Sequence, residues 1–302
     1  MLLHYFGRRY LDTDGLSYAG YDPRIIDGVL AEAAHLLRHL GFAAQHTTLI
    51  GGVVPSLLVL DPPHTPHVGT TDLDLCLSLA IIEGDTEEYD RIEDSLKKAG
   101  YEPTDVSFRW KQRDQLRLVV EFFCPSGEDR PAGRIYRPKQ ADNPRAKQNL
   151  GSNLSTYALD VGGILTEDVI SVQREVILPN DEGRINFTFR VTGVLGFLIA
   201  KTGALLGRDK PKDAYDIVWI LENWDGGPTV AASVVASSPA YLRDDVRLML
   251  DRMFDTFEST DKLGPSSFAR FMAERDMTRE DRLRLQRQAV GAVAEFRRAL
   301  HN

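Results

Sequence analysis

The sequence predicts an α+β protein: a mixed sheet flanked by helices, giving way to a mostly helical region from about Val191. Three observations carry that expectation. The segment TTDLDLCLSLA, residues 70–80, alternates between apolar residues and others with the two-residue period of a strand. Strand-like runs interleaved with helix-like ones continue as far as Phe189. From Val194 onward apolar residues recur at helical spacing to the end of the chain. Domain bounds of 1–190 and 191–302 follow.

In chain order, the first helix is expected over Asp22–Leu40. Asp22 suits the N-cap, Pro23 the first turn and Gly41 a left-handed stop, while Ile25, Val29, Leu36 and Leu40 share an inward face. A short strand, Thr47–Ile50, runs into Gly51-Gly52, and a second helix covers Pro55–Leu60. After a loop rich in proline and histidine (Asp61–Gly69) comes the alternating strand. A helix with Asp85 and Glu88 at capping-box spacing then ends near Gly100. Ser107–Lys111 and Leu116–Cys124 are expected to pair as a hairpin. Residues 125–153 read as a basic insertion or loop, with Arg130, Arg134, Arg137, Lys139, Arg145 and Lys147 against Glu128, Asp129 and Asp142. Strands resume over Asp168–Leu178 and Arg184–Phe189 around a turn at Asn180–Gly183. The helical region is expected to break near Gly226–Pro228 and Leu263–Ser266.

Composition narrows the function classes. Basic side chains number 36 against 44 acidic ones, and the formal charge of −8 argues against a protein that coats nucleic acid through bulk charge. Basic residues instead concentrate in 130–147 and 201–212, which predicts a charge-segregated surface with salt-sensitive binding on one side. Two cysteines, Cys76 and Cys124, make no disulfide framework. The start lacks the apolar stretch of a signal peptide, and no run of about eighteen apolar residues could span a bilayer. A cytoplasmic protein without membrane contact is the expectation.

The chemistry starts at Asp72-Leu73-Asp74. Residues two apart on a strand point the same way, so both carboxylates leave one face while Leu73 anchors the strand. Two adjacent carboxylates repel unless a cation lies between them, and Mg²⁺ or Mn²⁺ takes such oxygen ligands. The plainer alternative is a pair of solvated aspartates. Glu121, in the strongly apolar run LRLVVEFF, could complete a carboxylate triad, or could pair with Arg117 or Arg109. Gly51-Gly52, ahead of a helix, suits backbone contact with phosphate. Further on, Lys201 and Arg208 are seven residues apart on one helical face. Asp213 and Asp216 fall on an apolar stripe with Ile217 and Ile220. Inward carboxylates need cations, so Lys201, Arg208, Lys210 and Lys212 form with them either a phosphate site, a structural ion-pair network, or both.

In this order and spacing, GG, then TxDLD, then K…R…KDxYD, the chain resembles the AbiEii-type, MenT-like nucleotidyltransferase toxins of the polymerase-β-like superfamily, over roughly Thr47–Leu221. The resemblance implies that the sheet is a nucleotidyltransferase core. It implies that Gly51 and Gly52, with Thr70 and Thr71, line the nucleotide, and that Asp72 and Asp74 bind the metal. Lys201, with Arg208 nearby, would meet the phosphates, and Asp213 would be required as well. It also implies transfer of a nucleotide from an NTP to an RNA acceptor, a tRNA 3′-end, and a cognate antitoxin as partner. The chain departs from the family in having Gly52 where Ser is common and Val68, beside His67, where many relatives carry Arg.

Two further readings stay open. One is nucleotide transfer to a small molecule such as an aminoglycoside; the other is a non-catalytic binding module that keeps the fold. His64 and His67 are expected to be exposed on their loop, although His67 could touch nucleotide. Trp219 and Trp224 are expected in the core. Thr278–Leu300 reads as a packed helix with solvated charged faces, not as a nucleic-acid surface.

Overall fold

The computed structural model describes residues 17–78, 86–112, 118–128, 130–137, 154–160, 162–273 and 276–302. The chain is α+β, with a mixed open sheet and a helical C-terminal region. It divides into two compact units. One comprises Arg24–Val54 and Thr70–Gly193; the other gathers Met1–Pro23, Pro55–Gly69 and Val194–Asn302. The loop before the alternating strand therefore belongs to the helical unit, although in sequence it interrupts the sheet unit.

The sheet unit opens with α1 (Ile26–Leu40), preceded by a 3₁₀ turn at Pro23–Ile25, so the α-helix begins later than its sequence suggests. Its Val29, Leu30, Ala33, Leu36 and Leu37 are buried. Strand β1 (Thr47–Ile50) follows, then a 3₁₀ turn at Gly51–Val53, after which the short helix α2 (Val54–Leu58) passes from Pro55 onward into the helical unit. Strand β2 (Asp72–Leu77) has Leu73, Leu75 and Leu77 fully buried, with Asp72 and Asp74 half-buried. The expected alternation in burial holds from Asp72 to Leu75; beyond it Cys76, on the carboxylate face, is buried as well. Helix α3 (Thr86–Lys98) leads to β3 (Tyr101–Pro103), β4 (Arg109–Gln112) and β5 (Val119–Pro125); β4 and β5 pair antiparallel, as the hairpin required. Asp85, the N-terminal member of the expected capping box, lies outside the described residues, as do Leu116 and Arg117.

Strands β6 (Ile135–Tyr136), β7 (Thr156–Leu159), β8 (Val169–Ile177) and β9 (Arg184–Thr192) complete the sheet, with helix α4 (Gly162–Glu167) between β7 and β8. The main strand order is β3-β4-β5-β2-β1-β9-β8, and β7 joins β5 while β6 joins β7. Pairing is antiparallel for β1 with β2 but parallel for β2 with β5 and for β1 with β9. The β8–β9 turn has positive φ at Asn180 and Asp181, where the sequence placed it. The segment 125–153, read as a loop, differs in its described part. It carries β6, and Arg130 is buried, its Nε donating to the Pro125 carbonyl at 3.4 Å. Lys139, Arg145 and Lys147 lie outside the described residues.

The helical unit holds α5 (Val194–Gly207), α6 (Lys212–Asn223), α7 (Gly227–Ser237), α8 (Asp244–Thr256), α9 (Leu263–Phe271) and α10 (Arg279–Leu300). The break at Gly226 is present, with φ +80 there. The second break falls at residues 257–262, directly before Leu263, and Leu263–Ser266 themselves form the first turn of α9, whose Gly264 and Pro265 are buried. Proline is tolerated in a first helical turn, which is why it misleads as a stop signal. Helix α10 is capped by a reciprocal Thr278–Asp281 pair and buries Ala289, Ala292, Val293 and Phe296. Trp219 is buried, whereas Trp224 is only half-buried. Among the described residues no helix is long and apolar enough to cross a membrane.

Candidate active site

The sequence-predicted site residues fall into two clusters, one in each unit. In the sheet unit the first is built where β1 ends. Ile50, its last residue, stands opposite Asp74 in the antiparallel register with β2. The chain then turns through Gly51 at φ +73, a conformation that costs a side-chain-bearing residue steric strain. A Cβ at Gly51 would also fall 1.8 Å from Asp74 Oδ2. Glycine is thus required twice over, because the backbone itself lies against the carboxylate. Gly52 is buried in the same turn.

Asp72 is set by its own approach to the strand. The Thr70 hydroxyl, buried, accepts from the Asp72 N–H at 3.1 Å, which pins the residue where β2 begins. Thr71, between them, is half-buried. On β5, Glu121 stands beside Asp74 in the parallel register and opposite Arg109 of β4 in the antiparallel one. Arg109 Nε donates to Glu121 Oε1 at 2.6 Å, and a second guanidinium nitrogen also meets that oxygen. Of the alternatives that the sequence left for Glu121, the structure displays this ion pair; Arg117 lies outside the described residues. Among the described residues, no three His, Cys, Asp or Glu side chains gather as a metal-ligand group. Asp72 and Asp74 nonetheless offer hard oxygen donors on one half-exposed strand face. That donor set fits Mg²⁺ or Mn²⁺, ions that usually keep water or phosphate in their remaining positions.

The second cluster is buried in the helical unit. Asp213 and Asp216, on successive turns of α6, are almost fully enclosed. Lys201 of α5 reaches both: its Nζ lies 3.1 Å from Asp213 Oδ1 and 2.6 Å from Asp216 Oδ2. Arg208 grips Asp213 bidentately, Nε to Oδ2 at 2.9 Å and a terminal nitrogen to Oδ1 at 3.0 Å. Lys212 meets Asp216 Oδ1 at 2.7 Å from one turn earlier on the same helix. Burial alone would raise both carboxyls; the cations outweigh it and hold Asp213 below, and Asp216 well below, the ordinary range. The two lysines move oppositely. Burial depresses Lys212, while Lys201, flanked by two carboxylates, is raised despite its own burial.

His67 enters this network, contrary to the exposed loop position the sequence suggested for it. Its side chain is buried, with Nε2 2.9 Å from Asp216 Oδ1, while His64 is exposed as expected. The Gly69 N–H donates to His67 Nδ1 at 3.1 Å, so Nδ1 carries no proton and Nε2 is the donor to Asp216. The ring is therefore neutral, in keeping with burial and the Lys212 charge, which push it down to about 4. Helix α6 clamps the loop elsewhere too: Tyr215 stacks on the ring at 5.3 Å, and its hydroxyl accepts from the Val68 N–H. Trp219 meets the ring edge at 4.9 Å and donates to the Thr65 carbonyl. No local pattern could have announced this, since His67 and Asp216 are 149 residues apart in sequence.

With His67 neutral, the cluster holds Lys201, Lys212 and Arg208 against two carboxylates, an excess of one positive charge. Of these cations only Arg208 is substantially exposed, at 53% of its side chain. The cluster can thus present a held guanidinium to an anion while its interior stays dry. No family model, curated protein or solved structure matches the chain.

Proposed function

We propose that the chain is a metal-dependent nucleotidyltransferase of the AbiEii-type, MenT-like toxin kind, with the sheet unit as its nucleotidyltransferase core. It would transfer NMP from an NTP to an RNA acceptor, a tRNA 3′-end, and be silenced by a cognate antitoxin. The observation that carries this reading is the Gly51 turn lying against Asp74 beside Asp72. A backbone so close to a carboxylate pair lets N–H groups and a shared cation address one phosphate chain.

Asp72 and Asp74 would hold Mg²⁺ or Mn²⁺, which supplies charge neutralisation on the triphosphate when bound. The remaining work falls to the chain. Thr70 fixes the Asp72 backbone, and Leu73 and Leu75 anchor β2 so that the carboxylates stay on one face. Gly51 and Gly52 give the phosphates a close approach to backbone donors. Within the helical unit, Lys201 holds Asp213 and Asp216, and Asp213 in turn steadies the exposed Arg208 guanidinium. Attack by an acceptor hydroxyl on the α-phosphorus would release pyrophosphate, with positioning and preorganised charge as the sources of rate.

The test is incubation with Mg²⁺, each labelled NTP in turn, and total tRNA, beside Asp72→Asn. Label in RNA that disappears in the variant supports the reading. Transfer from no NTP, with no growth effect on expression, would sink it. Label only on an added small molecule such as an aminoglycoside would replace the RNA acceptor.

A further inference from the structure

The buried histidine of the helical unit is used by no step above, yet its bonding is specific. Asp216 meets three groups: Lys212 and His67 donate to Oδ1, and the Lys201 ammonium lies against Oδ2 as an ion pair. The two ammonium groups sit at the ends of flexible four-carbon stems. The imidazole does not. It is held by the Gly69 N–H, stacked on Tyr215 and walled by Trp219, so it is the rigid member of the three.

We propose that His67 is a positioning residue, whose neutral Nε2–H fixes the Asp216 carboxylate and thereby the Lys201 ammonium, the Asp213 carboxylate and the Arg208 guanidinium. Each link is a direct contact: His67 to Asp216, Asp216 to Lys201, Lys201 to Asp213, Asp213 to Arg208. The line runs from an enclosed ring to a half-exposed cation. Any effect on nucleotide transfer rests on the nucleotidyltransferase reading; the placement of Lys201 by His67 does not.

Two variants of the full chain separate the possibilities. In His67→Gln the amide nitrogen can reach the place of Nε2, whereas in His67→Asn it falls short. Lys201 and Lys212 acylation by pulses of acetic anhydride, followed by mass spectrometry across a pH series, reads the ammonium positions without any need for turnover. In the wild type both lysines are protected. His67→Asn should raise Lys201 acylation by about tenfold, the scale of one lost hydrogen bond to a charged group. Lys212 should stay protected, because it shares a helix with Asp216. His67→Gln should keep the wild-type profile, and His67→Asn should raise the KM for the triphosphate more than it lowers kcat.

An unchanged Lys201 profile in His67→Asn would overturn the proposal. So would joint exposure of Lys201 and Lys212, which marks opening of the helices and a purely structural histidine. A His67→Gln profile like that of His67→Asn would show that the donor is not what matters, and would overturn it as well. If the wild type transfers no nucleotide, the functional reading falls and the lysine ratio still decides the role of His67.

Discussion

Asp72 and Asp74 in the sheet unit, and Asp213 and Asp216 in the helical unit, are the same residue at nearly the same spacing, held in opposite ways. The strand pair is half-exposed, with a glycine backbone laid against it. The helix pair is sealed from water, each carboxylate in contact with two or three cationic or N–H groups. A carboxylate at a half-open face can exchange ligands, a bound cation among them. A carboxylate buried among cations cannot be stripped without leaving charge in a medium that solvates it poorly. The pairs therefore differ in kind: the strand pair is open to ligand exchange, the helix pair is locked by its neighbours.

The sharpest break of that contrast is removal of the inner charge. Asp216→Ala leaves Lys201 and Lys212 short of a partner inside the helical unit and should cost about 3–5 kcal/mol in denaturant unfolding. Asp72→Asn, at a half-exposed position, should leave the unfolding midpoint almost unmoved. If the two variants lose equal stability, the division fails. Under the proposed function the activity effect runs the other way: Asp72→Asn should lower nucleotide transfer by about 10²–10³-fold, the scale of one lost charge-stabilising group at a reacting centre.

Gly51→Ala should act on both properties. It forces a Cβ onto the Asp74 carboxylate and strains the φ +73 turn, for about 1–3 kcal/mol of stability and a loss of transfer. A variant that keeps full transfer would show that the turn need not touch Asp74.

The smallest effect is in pH. The folded chain keeps His67 neutral down to about 4, against an ordinary value of 6.5, so unfolding takes up a proton in that window. Stability is then complete above about pH 6.5 and declines as pH falls towards 4, by about 1–3 kcal/mol. Asp216, with Lys201, Lys212 and Tyr215, faces the ring. Asp213 and Asp216, both depressed, add a further loss only below the ordinary carboxylate range. His67→Gln should flatten the limb between pH 6.5 and 4 in thermal melts while sparing the acidic one.

Much of this was legible in the chain itself. The alternation over Asp72–Leu77 gave the strand, its faces and the pair of carboxylates, because a strand's geometry follows from its own period. The spacing of Asp213, Asp216, Ile217 and Ile220 announced two inward charges for the same reason on a helix, and named Lys201, Arg208 and Lys212 among their partners. Short strands fared worse. β3, β6 and β7 are two to four residues long, too short to show a period, and exist because a neighbour pairs with them. The break expected near Leu263–Ser266 falls a few residues earlier, and Gly264-Pro265 sit in a buried helix start.

What the sequence determined by itself is therefore local: the class of each long element, the face each charge leaves from, and the need for cations beside inward aspartates. Only the tertiary structure decided which partner each charge took. Glu121 pairs with Arg109 because the β4–β5 register sets them opposite one another. His67 joins Asp216 because the loop it lies on packs with the helical unit, far from it in sequence. Periodicity is a property of neighbouring residues along a chain, whereas an ion pair is a property of neighbouring residues in space, and only folding makes the second from the first.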